Sequence, residues 1–148
     1  MKKETANAKD FRVVRVVSCG FKHGAPPSDA ALLIDCRGFV NPHYDPKLRP
    51  KTGASRAVAE FLRKDGEVQE LLAALPHMLK ALLNGLLTRS AYHKEVKVVF
   101  ACTGGKHRSR FFALAAAEHI RKLAAQNPDW GCRVVVNHRD AGREQAAH

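Results

Sequence analysis

Four short stretches of this chain are apolar and rich in β-branched residues: "FRVVRVVS" at 11–18, "AALLIDC" at 30–36, "VKVVFAC" at 96–102 and "CRVVVNH" at 132–138. Each reads as a buried strand. The material between the second and third runs has helical spacing instead. "ASRAVAEFLRKDG" predicts a short helix closed by Gly66. "EVQELLAALPHMLKALLNGLL" then sets Val68, Leu71, Leu72, Leu75, Leu79, Leu82, Leu83 and Leu86 along one apolar face. Pro76 is expected to kink or split that helix, because it has no N–H to donate. A further helix is predicted from His107 to Gln126, with Phe111, Phe112, Ala115, Ile120 and Leu123 toward the core, ended by "NPDWG".

Strands separated by helices predict a single α/β domain over 1–148, with a largely parallel sheet of about four strands flanked by helices. Strand order does not follow from this pattern. The polar ends, 1–9 and 141–148, are expected to fray. Two segments have little periodicity: "CGFKHGAPPSDA" at 19–30 and "RGFVNPHYDPKLRPKTG" at 37–53. Both leave the C-terminal ends of predicted strands, where open α/β sheets place ligands. They hold Lys22, His23, Arg37, Asn41, His43, Tyr44 and Arg49, more polar chemistry than a mere connection needs.

Composition then narrows the partners. Of 148 residues, 25 are Lys or Arg and 14 Asp or Glu, a formal charge of +11, which suits phosphate-bearing ligands or RNA. No zinc, RNA-recognition or KH motif occurs, so any RNA contact should run through the phosphate backbone. The cations are dispersed, with Lys2, Lys3, Lys9, Arg12 and Arg15 near one end and Arg121, Lys122, Arg133, Arg139 and Arg143 near the other. The plainer reading is a solvated basic surface. Cys19, Cys36, Cys102 and Cys132 form no Cys-x-x-Cys pair, so neither a metal site nor a cofactor is expected. With no apparent signal peptide or membrane span, the expected setting is a reducing cytoplasm.

The segment "VVFACTGGKHRSRFF" is strand, glycine turn, helix. Gly104 and Gly105 permit close backbone approach, and the amides of the following helix favour an anion at that spot. Thr103 and Ser109 offer hydroxyls, Lys106 a charge, His107 a ring nitrogen and Arg108 a planar fork. There is no Gly-x4-Gly-Lys-Ser/Thr anywhere, so ATP binding of that type is not expected. One enzymatic reading stays open: Cys102 to Arg108 fits Cys-x5-Arg, the loop of cysteine-dependent phosphatases, with Cys102 as nucleophile and Arg108 as clamp. The spacing is unspecific, Ala101 stands where such enzymes usually have histidine, and only Asp35 and Asp45 offer themselves as acids. A small residue closing a buried strand is the plainer role for Cys102. Asp35 and Arg37 read as a scaffolding pair.

Three motifs together, "SCGFKHGAPPSDAALLIDCRGFVNPHYDPKLRPKTG", "ACTGGKHRSR" and "VVVNHRDAGR", resemble the C-terminal domain of the RapZ family of bacterial RNase adapter proteins. The resemblance runs in order from about Phe11 to Arg143. It implies a non-catalytic domain that senses glucosamine-6-phosphate, binds small RNAs and presents them to a ribonuclease; a homo-oligomer is left open. It also implies a sugar-phosphate pocket drawing on His23, Asn41, His43, Thr103, Gly104, His107 and Arg108. In that family an N-terminal kinase-like domain carries the Walker loop; this sequence has none, so nucleotide binding is not implied for it. Two residues depart from the usual pattern: Ala101 replaces a glycine and Lys106 a glutamine. His43 could instead brace the Asn-Pro turn, and His138 could tie strand to tail.

Overall fold

The computed structural model describes residues 12–89 and 94–143. Four strands form one sheet: β1 (Arg12–Gly20), β2 (Leu32–Asp35), β3 (Glu95–Cys102) and β4 (Cys132–His138). Their spatial order is β2-β3-β1-β4, and every pairing is parallel. The crossovers are made by α1 (Arg56–Arg63) with α2 (Gly66–Thr88) between β2 and β3, and by α3 (Arg108–Gln126) between β3 and β4. This is the α/β class that the alternation of patterns predicts.

The period-two alternation of each strand divides the apolar side chains between two faces. Val14, Val16, Val98 and Phe100 pack into one large core with residues from all three helices, among them Leu62, Leu79, Phe112 and Ile120. Val17, Cys19, Val99 and Ala101 point the other way and are joined by Phe21 and Ala30. Trp130 closes the large core, its indole N–H donating to Asn84 Oδ1 at 3.0 Å.

Several expectations are corrected. Gly66 does not close the first helix; it opens α2, whose N-cap is Asp65, with Oδ2 accepting from Val68 N–H at 3.1 Å. A carboxylate at that position is a strong start signal, and it outweighs the glycine. Pro76 lies inside α2 without dividing it. By length and composition α2 is apolar enough to cross a membrane, contrary to expectation, but its Val68, Leu75, Leu79, Leu83 and Leu87 stripe is buried in the core. In α3, Ala113, Ala116 and Ala117 are buried where Ala115 was expected. Residues 1–9 and 144–148 lie outside the described residues, whereas 141–143 form a turn closed by Ala141 N–H to His138 O and Arg143 N–H to Asp140 O.

Parallel pairing sets the ends of β1 and β3 side by side, with Gly20 opposite Cys102. β2 meets β3 one residue earlier, Asp35 opposite Ala101, and Cys36 N–H continues the ladder to Ala101 O at 2.6 Å. Everything that follows is built on those three strand ends.

Candidate functional site

The loop after β3 must turn sharply into α3, and two glycines make this possible. Gly105 has φ +75°, a conformation open to glycine at little cost. Its backbone lies directly on Gly20, where a Cβ would fall 2.4 Å from the Gly104 carbonyl carbon. Gly53 is pressed in the same way against the start of α3: its N–H donates to Lys106 O at 2.8 Å, and a Cβ there would meet His107 O at 2.2 Å. Backbone therefore packs on backbone at two points, and the loop is held from both sides.

Between this loop and the segments after β1 and β2 lies a cavity of about 290 Å³. Lys22, Asn41, His43, Tyr44, Cys102, Thr103, Gly104, Lys106, His107 and Arg108 line it. Among the described residues no carboxylate does, and none group as a metal site. Lys22 N–H donates to Thr103 O at 3.1 Å, joining the first loop to the third. Asn41 Oδ1 accepts from His43 N–H at 3.1 Å, and Arg49 Nε donates to His43 O at 2.8 Å, shaping the second loop. His43 and Tyr44 meet edge to face, and Tyr44 is 80% exposed at the rim.

Arg108 is the buried charge of the site. It is 5% exposed, and its Nη1 donates to Arg37 O at 2.9 Å and Phe39 O at 3.0 Å. It therefore braces the second loop while lining the cavity. His107 is buried too, with Nε2 donating to Leu48 O at 3.2 Å. Burial first, then the neighbouring Lys106 charge, holds its pKa below the ordinary histidine value, so the ring is neutral at pH 7. No side chain caps the first turn of α3, and His107 and Arg108 at that turn line a cavity to which the described residues bring cations and no carboxylate. Such an arrangement can accept an oxyanion.

Three of the expected contacts lie elsewhere. Ser109 is fully buried and its Oγ accepts from Cys102 Sγ at 3.1 Å. Gly105 spends its N–H on Cys102 Sγ at 3.3 Å. His23 does not line the cavity; it interacts electrostatically with Asp140. The two candidate acids are also committed. Asp35 is bidentate to Arg37, which itself stacks 3.8 Å over the Phe21 ring, and Asp45 Oδ1 accepts from Lys47 N–H at 2.9 Å. Neither lines the cavity. The scaffolding pair is thus as expected, and His138 ties strand to strand, with Nδ1 2.6 Å from Ser18 Oγ. Of the other cysteines, burial raises the pKa of Cys19 to about 11 and pushes Cys36 further still.

Sequence reasoning gave no role to Asp140 and counted Arg139 as surface charge. Asp140 is 1% exposed and accepts from Gly20 N–H at 2.7 Å. Burial would lift its pKa, but the Arg139 fork and the Gly20 amide outweigh that and hold it below the usual carboxylate value. Arg139 donates onward to the carbonyls of Gly20, Gly24 and Ala25. The pair thus anchors the first loop from the end of β4. The only signal for it was "NHRDAGR" itself, an acid and a base following a strand.

A family model for the RapZ C-terminal domain matches residues 12–142. The chain belongs to the RapZ C-terminal domain family. Curated relatives of this RapZ C-terminal domain include nucleotide-binding proteins of Thermobifida fusca, 40% identical over 93% of this chain and 44% of that protein, and of Fervidobacterium nodosum, 41% identical over 93% and 45%. One from Delftia acidovorans is 42% identical over 70% of this chain and 33% of its own length. The chain spans less than half the length of these relatives.

Proposed function

We infer that the strand-end cavity binds a small phosphorylated sugar without transforming it, glucosamine-6-phosphate being the first ligand to test. One observation carries this: a buried arginine whose Nη1 braces a loop, set beside the uncapped first turn of α3 in a cavity where no described residue brings a carboxylate. Asp35 interacts electrostatically with Arg108, and the cavity beside the arginine leaves space for a further anion. Thr103, Gly104 and the α3 amides would hold phosphate oxygens, while Asn41, His43 and Tyr44 would meet the sugar. The relatives are named nucleotide-binding proteins, but the match covers under half of them, so we do not carry a nucleotide over to this cavity. RNA is the macromolecular partner we propose, in a cytoplasmic setting and with backbone contacts that weaken steeply with salt.

The test is an amide NMR titration with glucosamine-6-phosphate, using glucosamine and inorganic phosphate as controls. Saturable shifts in 102–109 and 41–44, tighter than with either control, are expected; loops silent to all three would end the reading.

A second reading, cysteine-dependent phosphatase, has one observation in its favour. Cys102 lines the cavity together with Arg108, and Gly105 N–H donates to its Sγ at 3.3 Å. Against it stands the cavity's lack of an acid among the described residues. Phosphate release from p-nitrophenyl phosphate that disappears in Cys102→Ser would establish it; our reading expects no release and near-unchanged binding in that variant.

A further inference from the structure

His107 sits in a shell suited to a charge that it does not carry in the free protein. It is 5% exposed, it lines the strand-end cavity, and its Nε2 lies 3.2 Å from Leu48 O. A carbonyl can only accept, so the neutral ring keeps its proton on Nε2 and leaves Nδ1 unprotonated. The carbonyls of Leu48, Arg49 and Lys51, all in the segment after β2, favour the protonated ring. Burial and the Lys106 charge oppose it and prevail. The ring is neutral at pH 7 for want of a counter-charge, not for want of acceptors.

The titratable and charged groups that share the cavity with this ring come from every neighbouring element. Cys102 and Lys106 belong to the end of β3 and its loop, Arg108 to α3, Lys22 to the loop after β1, and His43 and Tyr44 to the segment after β2. None of the described lining residues is a carboxylate, so the wall itself supplies the ring with no negative charge. A bound phosphate monoester would supply it, since it carries about two negative charges near pH 7. An anion beside a histidine favours the imidazolium.

We propose, building on the sugar-phosphate reading above, that the pocket takes up its ligand together with a proton. The ligand enters with its phosphate as the dianion, and one proton from solvent binds Nδ1 of His107. The imidazolium keeps its Nε2–H on Leu48 O. Binding is thereby linked to pH. The ring titrates at higher pH in the complex than in the free protein, so affinity rises as pH falls through the midpoint of the complex. It levels off below the midpoint of the free ring.

The test is NMR of the His107 ring protons on the full chain, free and with glucosamine-6-phosphate or glucose-6-phosphate, joined to calorimetry in buffers of different ionisation enthalpy. Glucose-6-phosphate is included because the amine of the amino sugar titrates as well. The ring midpoint should move up on binding, with uptake of about 0.3 proton or more per ligand at pH 7. Affinity for glucose-6-phosphate should rise about threefold or more from about pH 8 to about pH 6.5. His107→Gln should abolish the uptake and flatten that dependence. Lys106→Gln, which leaves the histidine in place, should raise the midpoint of the free ring. A ring midpoint unmoved by ligand, or proton uptake that persists in His107→Gln, would overturn the proposal while leaving the sugar-phosphate pocket standing. If neither sugar phosphate binds at any pH, the pocket reading falls, and this inference with it.

Discussion

Gly20 ends a strand without a side chain because Gly104 and Gly105 occupy the place where one would be. Gly20→Ala should cost about 1–3 kcal/mol in urea denaturation, since the added methyl meets backbone that cannot rotate away. It should also weaken phosphate binding, because the loop that must move is the one lining the cavity. His107 gives a prediction of a different kind. Its pKa is lowered in the folded state, so the unfolded chain binds more protons just below the ordinary histidine value, and stability falls as pH drops through that window. Melting between about pH 7.5 and about pH 5.5 should therefore decline less in His107→Gln, which can still donate to Leu48 O without titrating. At this scale the sequence was informative about residue type and less so about direction. Thr103, Lys106, His107 and Arg108 do reach one cavity, but Ser109 turns inward. Which side of a helix start faces solvent depends on helix phase, and a shift of one residue moves a side chain through a large arc.

Elements were legible where burial imposes a period. The four β-branched runs are the four strands, but only β1 and β3 are buried as expected; β2 and β4, at the sheet edges, mix half-buried and exposed positions, with Leu33 46% exposed. The boundary between α1 and α2 was misread for a reason that can be tested. Asp65 accepts from Val68 N–H and fixes the start of a helix that supplies much of the core. Asp65→Ala should lower stability by about 1 kcal/mol, measured as a shift in melting temperature, while leaving ligand affinity unchanged. Strand order could not be read locally, since it depends on contacts between segments far apart in the chain, such as Gly20 with Cys102 and Asp35 with Ala101. The pairing of Gly53 with Lys106 is of the same kind.

For the molecule as a whole, the sheet order β2-β3-β1-β4 places a crevice where the chain passes from β3 over β1 to β4. Ligand sites of open α/β sheets lie outside such strand ends, and the cavity here follows that rule. Asp140→Asn should cost about 2 kcal/mol, because it removes the charge that Arg139 and the Gly20 amide share. Chemical denaturation measures it, and the same variant should bind sugar phosphate less well although Asp140 does not line the cavity.

The Arg139 fork has a dynamic consequence. Among the described strands β4 pairs with β1 alone, and the arginine that follows it holds the carbonyls of Gly20, Gly24 and Ala25. Any fluctuation that peels this edge strand also releases the segment carrying Lys22. Opening of β4 and loosening of the pocket's rim would then be one subglobal event with a single free energy. Deuterium uptake in residues 133–138 should slow when ligand binds, by the same factor as in residues 21–25, although the strand itself touches no ligand.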